Sequence, residues 1–312
     1  MGQVMKVLIV GLGSIGRRHL SWLKQADNVE CAALRTSKGA LTEPTGIQEF
    51  FSVEDALAFK PNGVLIANPT SLHVASALPF LEKGIRVLIE KPIAGTVSEA
   101  ASLAKYKELI RVAYPMRFTT LSEFFKERFA EEYPFKVSFK RSFYLPKWHP
   151  YADYRNEYTA KKELGGGVIR TLSHEIDLAI HWFGEPVQVD GFTDKISFLE
   201  IDTDDFAFFS LKTKQGARLN FELDLFSPVN INIAEAFTSK GKYQWDMNSI
   251  SFTAYGHDKP TILDVDLHDS MNQMYKRQVD DFLEFIQTGN SRCARYEEAL
   301  SVMTIIEKID GK

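Results

Sequence analysis

Three short stretches hold side chains whose types and spacing could do chemistry. Residues 11–16 read GLGSIG, residues 90–92 read EKP and residues 165–177 read GGGVIRTLSHEID. The first is a G-x-G-x-x-G loop behind the apolar run KVLIV and ahead of an amphipathic stretch that reaches about Gln25. In that position it joins a strand to a helix, and free backbone N–H groups plus the helix dipole favour an anion. Gly11 permits the tight turn, Gly13 lets the backbone approach a pyrophosphate, and Gly16 lets helix and strand pack closely, with Ser14 and Ile15 completing the loop. A glycine turn without a ligand is the plainer alternative.

An acid that binds the ribose 2′-hydroxyl of NAD is expected about 20 residues further on, at the end of a second strand. The strand VECAALR at 29–35 ends instead in Arg35, followed by Thr36 and Ser37, and Glu30 stands at its wrong end. A guanidinium matches phosphate geometry and hydroxyls can share the remaining oxygens. The pattern points to NADP, with NAD as the alternative cofactor and a solvated basic turn as the bland one. In VLIEKPIAG, three apolar residues run straight into Glu90, Lys91 and Pro92. Lysine is rarely placed on a core strand unless it is paired. In open α/β sheets, ligands bind beyond the carboxyl ends of the strands, where Lys91 stands. Asn68 and Pro69, from ANPTSLH at 67–73, end the preceding strand at the same edge, and His73 opens the next helix.

The third stretch predicts a helix over 168–183. Val168, Leu172, Ile176, Ala179, Ile180 and Phe183 form an apolar stripe, and Thr171, His174, Asp177 and His181 share another face. That face could look into an interdomain cleft. His174 is the candidate proton acceptor because an unperturbed imidazole titrates near neutrality, and Asp177 could orient it. A histidine that merely packs is the alternative. Arg117, Trp148, Tyr151, Arg155 and Arg170 could bind an anionic or sugar substrate, since guanidinium and aromatic groups suit phosphates and sugars.

Strands alternate with helices up to residue 117, which predicts βαβ units and a parallel sheet. Beyond it, helix 121–132 and strand 135–145 precede the runs VQVDGFT, DFAFFSLKT, ARLNFELDL and NIAEAFTSKGKYQWD, separated by turn signals. This reads as an antiparallel meander. The expected fold is an α/β Rossmann domain over 1–117 and an α+β domain over 118–312 with a large, mostly antiparallel open sheet. A length of 312 residues suits two domains. A net charge of −4 points to neither a nucleic-acid nor a membrane partner. Cys31 and Cys293 form no metal or redox pattern, so no metal is expected and a reducing, cytoplasmic compartment is. The glycine loop comes too early for a signal peptide.

The stretches GLGSIGRRH, ANPTSLH, EKP and GGGVIRTLSHEID together resemble the glucose–fructose oxidoreductase / myo-inositol dehydrogenase (Gfo/Idh/MocA) family, over the whole chain. The loop at 148–167 is similar to that of members from surface-polysaccharide and nucleotide-sugar pathways. The resemblance implies that Lys91 lies beside the nicotinamide ribose and the substrate, with Glu90 balancing its charge. It also implies that Asn68 and Pro69 border the nicotinamide half and that His73 shapes the pocket, a helix-surface histidine being the alternative. Many members place an aspartate one turn before the histidine, where this chain has Arg170 and Thr171, so His174 and Lys91 would share the proton chemistry. The implied activity is hydride transfer between nicotinamide and a sugar or nucleotide-sugar hydroxyl or ketone. Two alternatives stay open: glycoside cleavage through transient oxidation, and a non-catalytic cofactor-bound sensor or scaffold. Members commonly pair through the open sheet, which implies a homodimer or a dimer of dimers.

Overall fold

Val64, Leu65 and Ile66 have no exposure, and neither have Val87, Leu88 and Ile89. Such runs, apolar on both faces, can only be satisfied inside a sheet covered on both sides. In the computed structural model, which describes residues 4–36, 45–149, 152–246, 248–267 and 271–311, they do form the centre of a parallel sheet. The elements are β1 (Met5–Val10), α1 (Ser14–Leu23), β2 (Val29–Leu34), β3 (Gln48–Phe50), α2 (Val53–Ala58), β4 (Gly63–Ile66), α3 (His73–Leu81), β5 (Arg86–Glu90), α4 (Val97–Ala101) and β6 (Ile110–Ala113). The strands lie in the order β6-β5-β4-β1-β2-β3, all parallel. The chain moves outward from β1 to β3, then crosses back to β4. The order therefore reverses between β1 and β4, where such sheets bind ligands. The stretch VSEAASLAKYKEL at 97–109 has a helical pattern, but its α-helix stops after five residues and a 3-10 turn follows at Ala104–Leu109. Ser102 Oγ donates back to Glu99 O at 2.7 Å, a local bond that competes with helix continuation.

The chain then builds a second body from α5 (Thr120–Glu131), β7 (Lys136–Tyr144), α6 (Leu145–Trp148), α7 (Val168–Thr171), α8 (His174–Phe183), β8 (Pro186–Asp194), β9 (Phe206–Thr213), β10 (Arg218–Asp224), β11 (Phe226–Phe237), β12 (Gly241–Trp245), β13 (Ile250–Ala254) and β14 (Thr261–Ile262). The eight strands are ordered β14-β13-β12-β11-β7-β10-β9-β8. This corrects the simple meander: β7 separates β10 from β11 and runs parallel to β10, with Phe139 opposite Phe221. The other pairings are antiparallel. Alternation along β9 and β10 sorts their side chains into two faces. Ala207, Phe209 and Leu211 with Leu219, Phe221 and Leu223 are buried, and the rings of Phe139, Phe221 and Phe209 stack at 4.8 and 4.4 Å. Phe125 and Phe129 of α5 and Trp182 of α8 close over them against Trp245. The opposite face carries Phe192 and Phe208, both about half exposed, and an ion pair of 2.7 Å between Lys140 and Glu222.

The last elements are α9 (Met271–Thr288), β15 (Ala294–Arg295) and α10 (Tyr296–Asp310). The chain divides into one unit of Met1–Phe118 with Ser270–Leu300 and another of Thr119–Asp269 with Ser301–Lys312. The sequence-based division had left 270–300 with the second domain. These residues join the first because β15 pairs with β6, and because Met274, Val279, Phe282, Phe285 and Cys293 share a core with Val7, Ile9, Leu20, Leu65 and Leu88. Arg86 Nη1 donates to Ile286 O at 2.6 Å, and a Cβ on Gly63 would lie 2.3 Å from Ile286 Cδ1. The glycine at the start of β4 thus leaves room for the Ile286 side chain of α9. No helix among the described residues is long and apolar enough to cross a membrane. Phe282→Ala should cost about 3–5 kcal/mol, the usual loss for a buried phenylalanine. Urea unfolding of the whole chain reads it, and a loss under about 1 kcal/mol would mean that α9 is peripheral to the first core.

Candidate functional site

The carboxyl edge of the first sheet brings the glycine loop and the end of β4 into contact. Gly11 has φ +92°, and a Cβ there would lie 2.8 Å from Asn68 Cα and N. A Cβ on Gly16 would lie 2.1 Å from Gly11 O, so α1 can start where it does only with glycine at that point. Nothing stands within 4 Å of the place where a Gly13 Cβ would be, and no side chain caps α1 at Gly13. Beside this loop lies a cavity of about 780 Å³. Its walls include Gly11, Leu12 and Gly13, then Leu34, Arg35 and Thr36 past β2, and Ala67, Asn68, Pro69, Leu72 and Ser76 past β4. Asn68 Nδ2 donates to Ser76 Oγ at 2.7 Å, while Asn68 Oδ1 is buried without a protein partner. A glycine cradle, an uncapped helix start and an orphaned amide oxygen in one cavity fit a dinucleotide. Ser14 and Ile15 form the first turn of that helix. Ser37 lies outside the described residues.

Lys91 follows β5 at the same edge and is half-buried, and its peptide to Pro92 is cis. Glu90 was expected to balance the lysine charge. Its carboxylate meets buried His19, with 2.6 Å between Oε1 and Nε2, and Oε2 accepts from the Lys91 backbone N–H at 3.2 Å. His19 is fully buried on α1, and the Tyr275 ring meets it edge-on at 5.9 Å. Sequence reasoning missed His19, although its signal was present: it follows Gly16 by three residues and so shares the helix face that packs inward. His73 is not a helix-surface histidine; it is 1% exposed. Asn68 O lies 2.9 Å from its Nε2 and Pro92 O 2.9 Å from its Nδ1, so the ring sits between the loops after β4 and β5 and, when neutral, donates to one of the two carbonyls. Burial pushes its pKa below the ordinary imidazole value, against the two carbonyls and the Glu90 charge, which favour the charged form.

In the second unit the expected helix over 168–183 is broken. Leu172 leaves helical geometry with ψ +35°, and α7 and α8 meet at Ser173. Thr171 is buried and its hydroxyl donates to Gly167 O at 2.8 Å, so it is engaged by its own turn. Asp177 has no exposure, whereas His174 at the start of α8 is half-buried. The proposed substrate cations have protein partners. Arg117 is 3% exposed and pairs with Glu298 at 3.3 Å, Arg170 pairs with Asp310 at 2.9 Å, and Arg155 pairs with Asp153 and Glu200. Trp148 is 41% exposed with its ring edge-on to Phe143, and Tyr151 lies outside the described residues. Among the described residues no group of histidine, cysteine, aspartate and glutamate could hold a metal ion.

A doubly wound parallel sheet with a glycine cradle at its switch point, joined to a large open mixed sheet, defines the class of two-domain nicotinamide-dependent oxidoreductases. Comparison with known proteins agrees. Residues 5–112 match the family model described as oxidoreductase family, NAD-binding Rossmann fold, and residues 135–244 match the GFO/IDH/MocA C-terminal domain. The chain belongs to the Gfo/Idh/MocA oxidoreductase family. It is 25% identical to D-xylose 1-dehydrogenase (NADP(+)) 2 of Haloferax volcanii over 96% of this chain and 95% of that one. It is 33% identical to inositol 2-dehydrogenase of Corynebacterium glutamicum over 30% of each chain. Among solved structures, UDP-N-acetylglucosamine 3-dehydrogenase GnnA from Acidithiobacillus ferrooxidans superposes with a TM-score of 0.81 at 18% identity, covering 98% of this chain and 97% of that one. The WlbA dehydrogenase from Bordetella pertussis, in complex with NADH and UDP-GlcNAcA, superposes with a TM-score of 0.79 at 19% identity, covering 98% and 94%. At these identities the superpositions show a common fold.

Asp204 sits against the Gly167 backbone and accepts from Val168 N–H at 2.8 Å. Burial first, then the Asp310 charge, push its pKa from 3.8 up to about 6. The folded state therefore favours the protonated acid, and this group's contribution to stability falls as pH rises from about 4 to about 6. Asp204→Asn should remove that slope. Urea unfolding at pH 4, 5, 6 and 7 should show the variant gaining on the native protein by on the order of 2 kcal/mol across the window. A constant difference between the two would refute the assignment.

Proposed function

We propose that this protein is an NADP-linked dehydrogenase that moves a hydride between nicotinamide and a hydroxyl or ketone of a sugar, a nucleotide-linked sugar being the leading substrate. The observation that carries the reading is the closure of the glycine loop on Asn68, with open space at Gly13 and Lys91 one strand further along the same edge. Arg35 in the cavity wall supports the phosphorylated dinucleotide, and a relative named for NADP agrees with it. The sugar reading is supported by that relative's name, and the nucleotide-linked form by the names of the two structural neighbours.

When bound, the nicotinamide supplies hydride exchange at its C4 position. The chain's own residues have four tasks. The N-terminus of α1 and the Gly13 backbone hold the pyrophosphate. Asn68 and Pro69 border the nicotinamide half, and His73 packs between their loop and that of Lys91. Lys91 and His174 are the proposed proton carriers: one or the other accepts the single proton of the hydroxyl being oxidised, and returns it to the oxygen of the ketone being reduced. Glu90, held by His19, fixes the Lys91 backbone at the cofactor edge. The open face of the second sheet, with Phe192 and Phe208 exposed beside the Lys140–Glu222 pair, is the proposed contact of a homodimer or a dimer of dimers.

A panel of sugars and nucleotide sugars, followed by absorbance of the reduced nicotinamide, tests the activity. With the sugar that responds, Lys91→Met and His174→Ala should each lower kcat by about 10²–10⁴-fold while leaving the fold intact by circular dichroism. Near-native kcat in either variant removes that residue from the proposal. Light scattering behind a sizing column should give twice or four times the chain mass at micromolar concentration. A monomer mass with and without cofactor would eliminate the sheet-to-sheet assembly.

A further inference from the structure

The acid that a dinucleotide pocket usually carries at the end of its second strand is absent from β2, where Arg35 stands. A carboxylate nonetheless reaches that corner from the next strand. Arg35 Nη1 donates to Glu49 Oε2 at 2.9 Å, and Thr45 Oγ1 donates to Glu49 Oε1 at 2.8 Å. The two charged side chains are 15% and 22% exposed, so solvent screens their interaction only in part. The pairing is built into the backbone: Leu34 stands opposite Phe50, and Arg35 N–H donates to Phe50 O at 3.0 Å. The Thr45 hydroxyl, then Arg35, hold the Glu49 carboxyl below the usual carboxylate range despite burial, so it is ionised at neutral pH. Arg35 lines the cavity, whereas Glu49 is not among the residues of its wall.

We propose that Glu49 determines cofactor specificity by offsetting the Arg35 charge, which narrows the margin by which the pocket prefers a 2′-phosphate over a 2′-hydroxyl. This rests on the reading of the cavity as a dinucleotide site. A phosphate approaching Arg35 gains a charge-assisted contact and is repelled by the carboxylate behind it. A ribose hydroxyl carries no charge, and a carboxylate outside the cavity wall changes its binding little. The arginine alone would make a strongly selective pocket; the pair makes a moderately selective one. The residue at position 49 then sets the ratio of the two affinities without touching the reacting atoms.

Calorimetric titration of the intact protein with NADP and with NAD tests this. Glu49→Gln should tighten NADP roughly tenfold, the scale of one partly screened charge a few ångströms from the phosphate. NAD should move less than about twofold, which also serves as the control for an intact pocket. In the double variant Arg35→Gln/Glu49→Gln the gain should vanish. Glu49→Asp, which keeps the charge, should hold the native ratio within about twofold. An NADP affinity that is unchanged or weaker in Glu49→Gln overturns the proposal and makes Glu49 an aligning residue for Arg35. A ratio that moves as far with Asp as with Gln also overturns it, since structure rather than charge would then be the cause. If the native protein binds neither dinucleotide, the reading of the cavity falls and the role of Glu49 with it.

Discussion

The contact of 2.6 Å between His19 and Glu90 joins the two halves of the cofactor edge. A carboxylate at the end of a strand buried on both faces is costly unless something bonds it. Here the bond comes from the helix that the glycine loop opens. Gly16, His19, Leu20 and Leu23 are the buried residues of α1, so the face that packs tightly through glycine is also the face that carries the imidazole. Glu90 then holds the Lys91 backbone through its second oxygen. Tyr275, from the returning helix α9, closes the far side of His19, and the Arg18 guanidinium lies over the tyrosine ring at 4.8 Å. Three segments far apart in the chain thus converge on one buried pair, and the direction in which Lys91 leaves the sheet depends on all of them.

His73 does for the neighbouring loops what Glu90 does for the strand. Its two nitrogens face the carbonyls of Asn68 and Pro92, and the buried ring packs between the loops after β4 and β5. With Gly11 pressed against Asn68, the loops after β1, β4 and β5 are linked in series. Rigid placement of this kind is what transfer chemistry at a bound ring demands, because small errors of position are costly in rate.

Much of this was legible because it rests on local pattern. Alternating strands and helices, the glycine loop in its βαβ setting, the strand end at Lys91 and the two faces of β9 and β10 all follow from spacing within a dozen residues. What escaped depends on partners remote in the chain. Arg117 and Arg170 look like ligands for an anion in sequence, yet each is paired with an acid, Glu298 and Asp310, far along the chain. A buried guanidinium must find such a partner, and spacing cannot say which acid it will be. The insertion of β7 between β10 and β11 escaped for the same reason, since a parallel neighbour leaves no turn signal. The break between α7 and α8 had a local cause that periodicity overlooked: Thr171 bonds back to Gly167, and the turn ends there.

The return of Ser270–Leu300 to the first unit has a consequence for how the protein is made. Domains synthesised first usually fold first, while the ribosome is still extending the chain at about 5–20 residues per second. Here Phe282 and Phe285, which complete the core around Val7, Ile9 and Leu65, emerge only after the whole of Thr119–Asp269. At that speed the nascent sheet waits on the order of 10–40 s with the apolar side meant for α9 uncovered. The second unit can close its own sheet in the meantime, apart from its short terminal segment. The unit whose synthesis starts first therefore gains the last part of its core only after most of the other has been made.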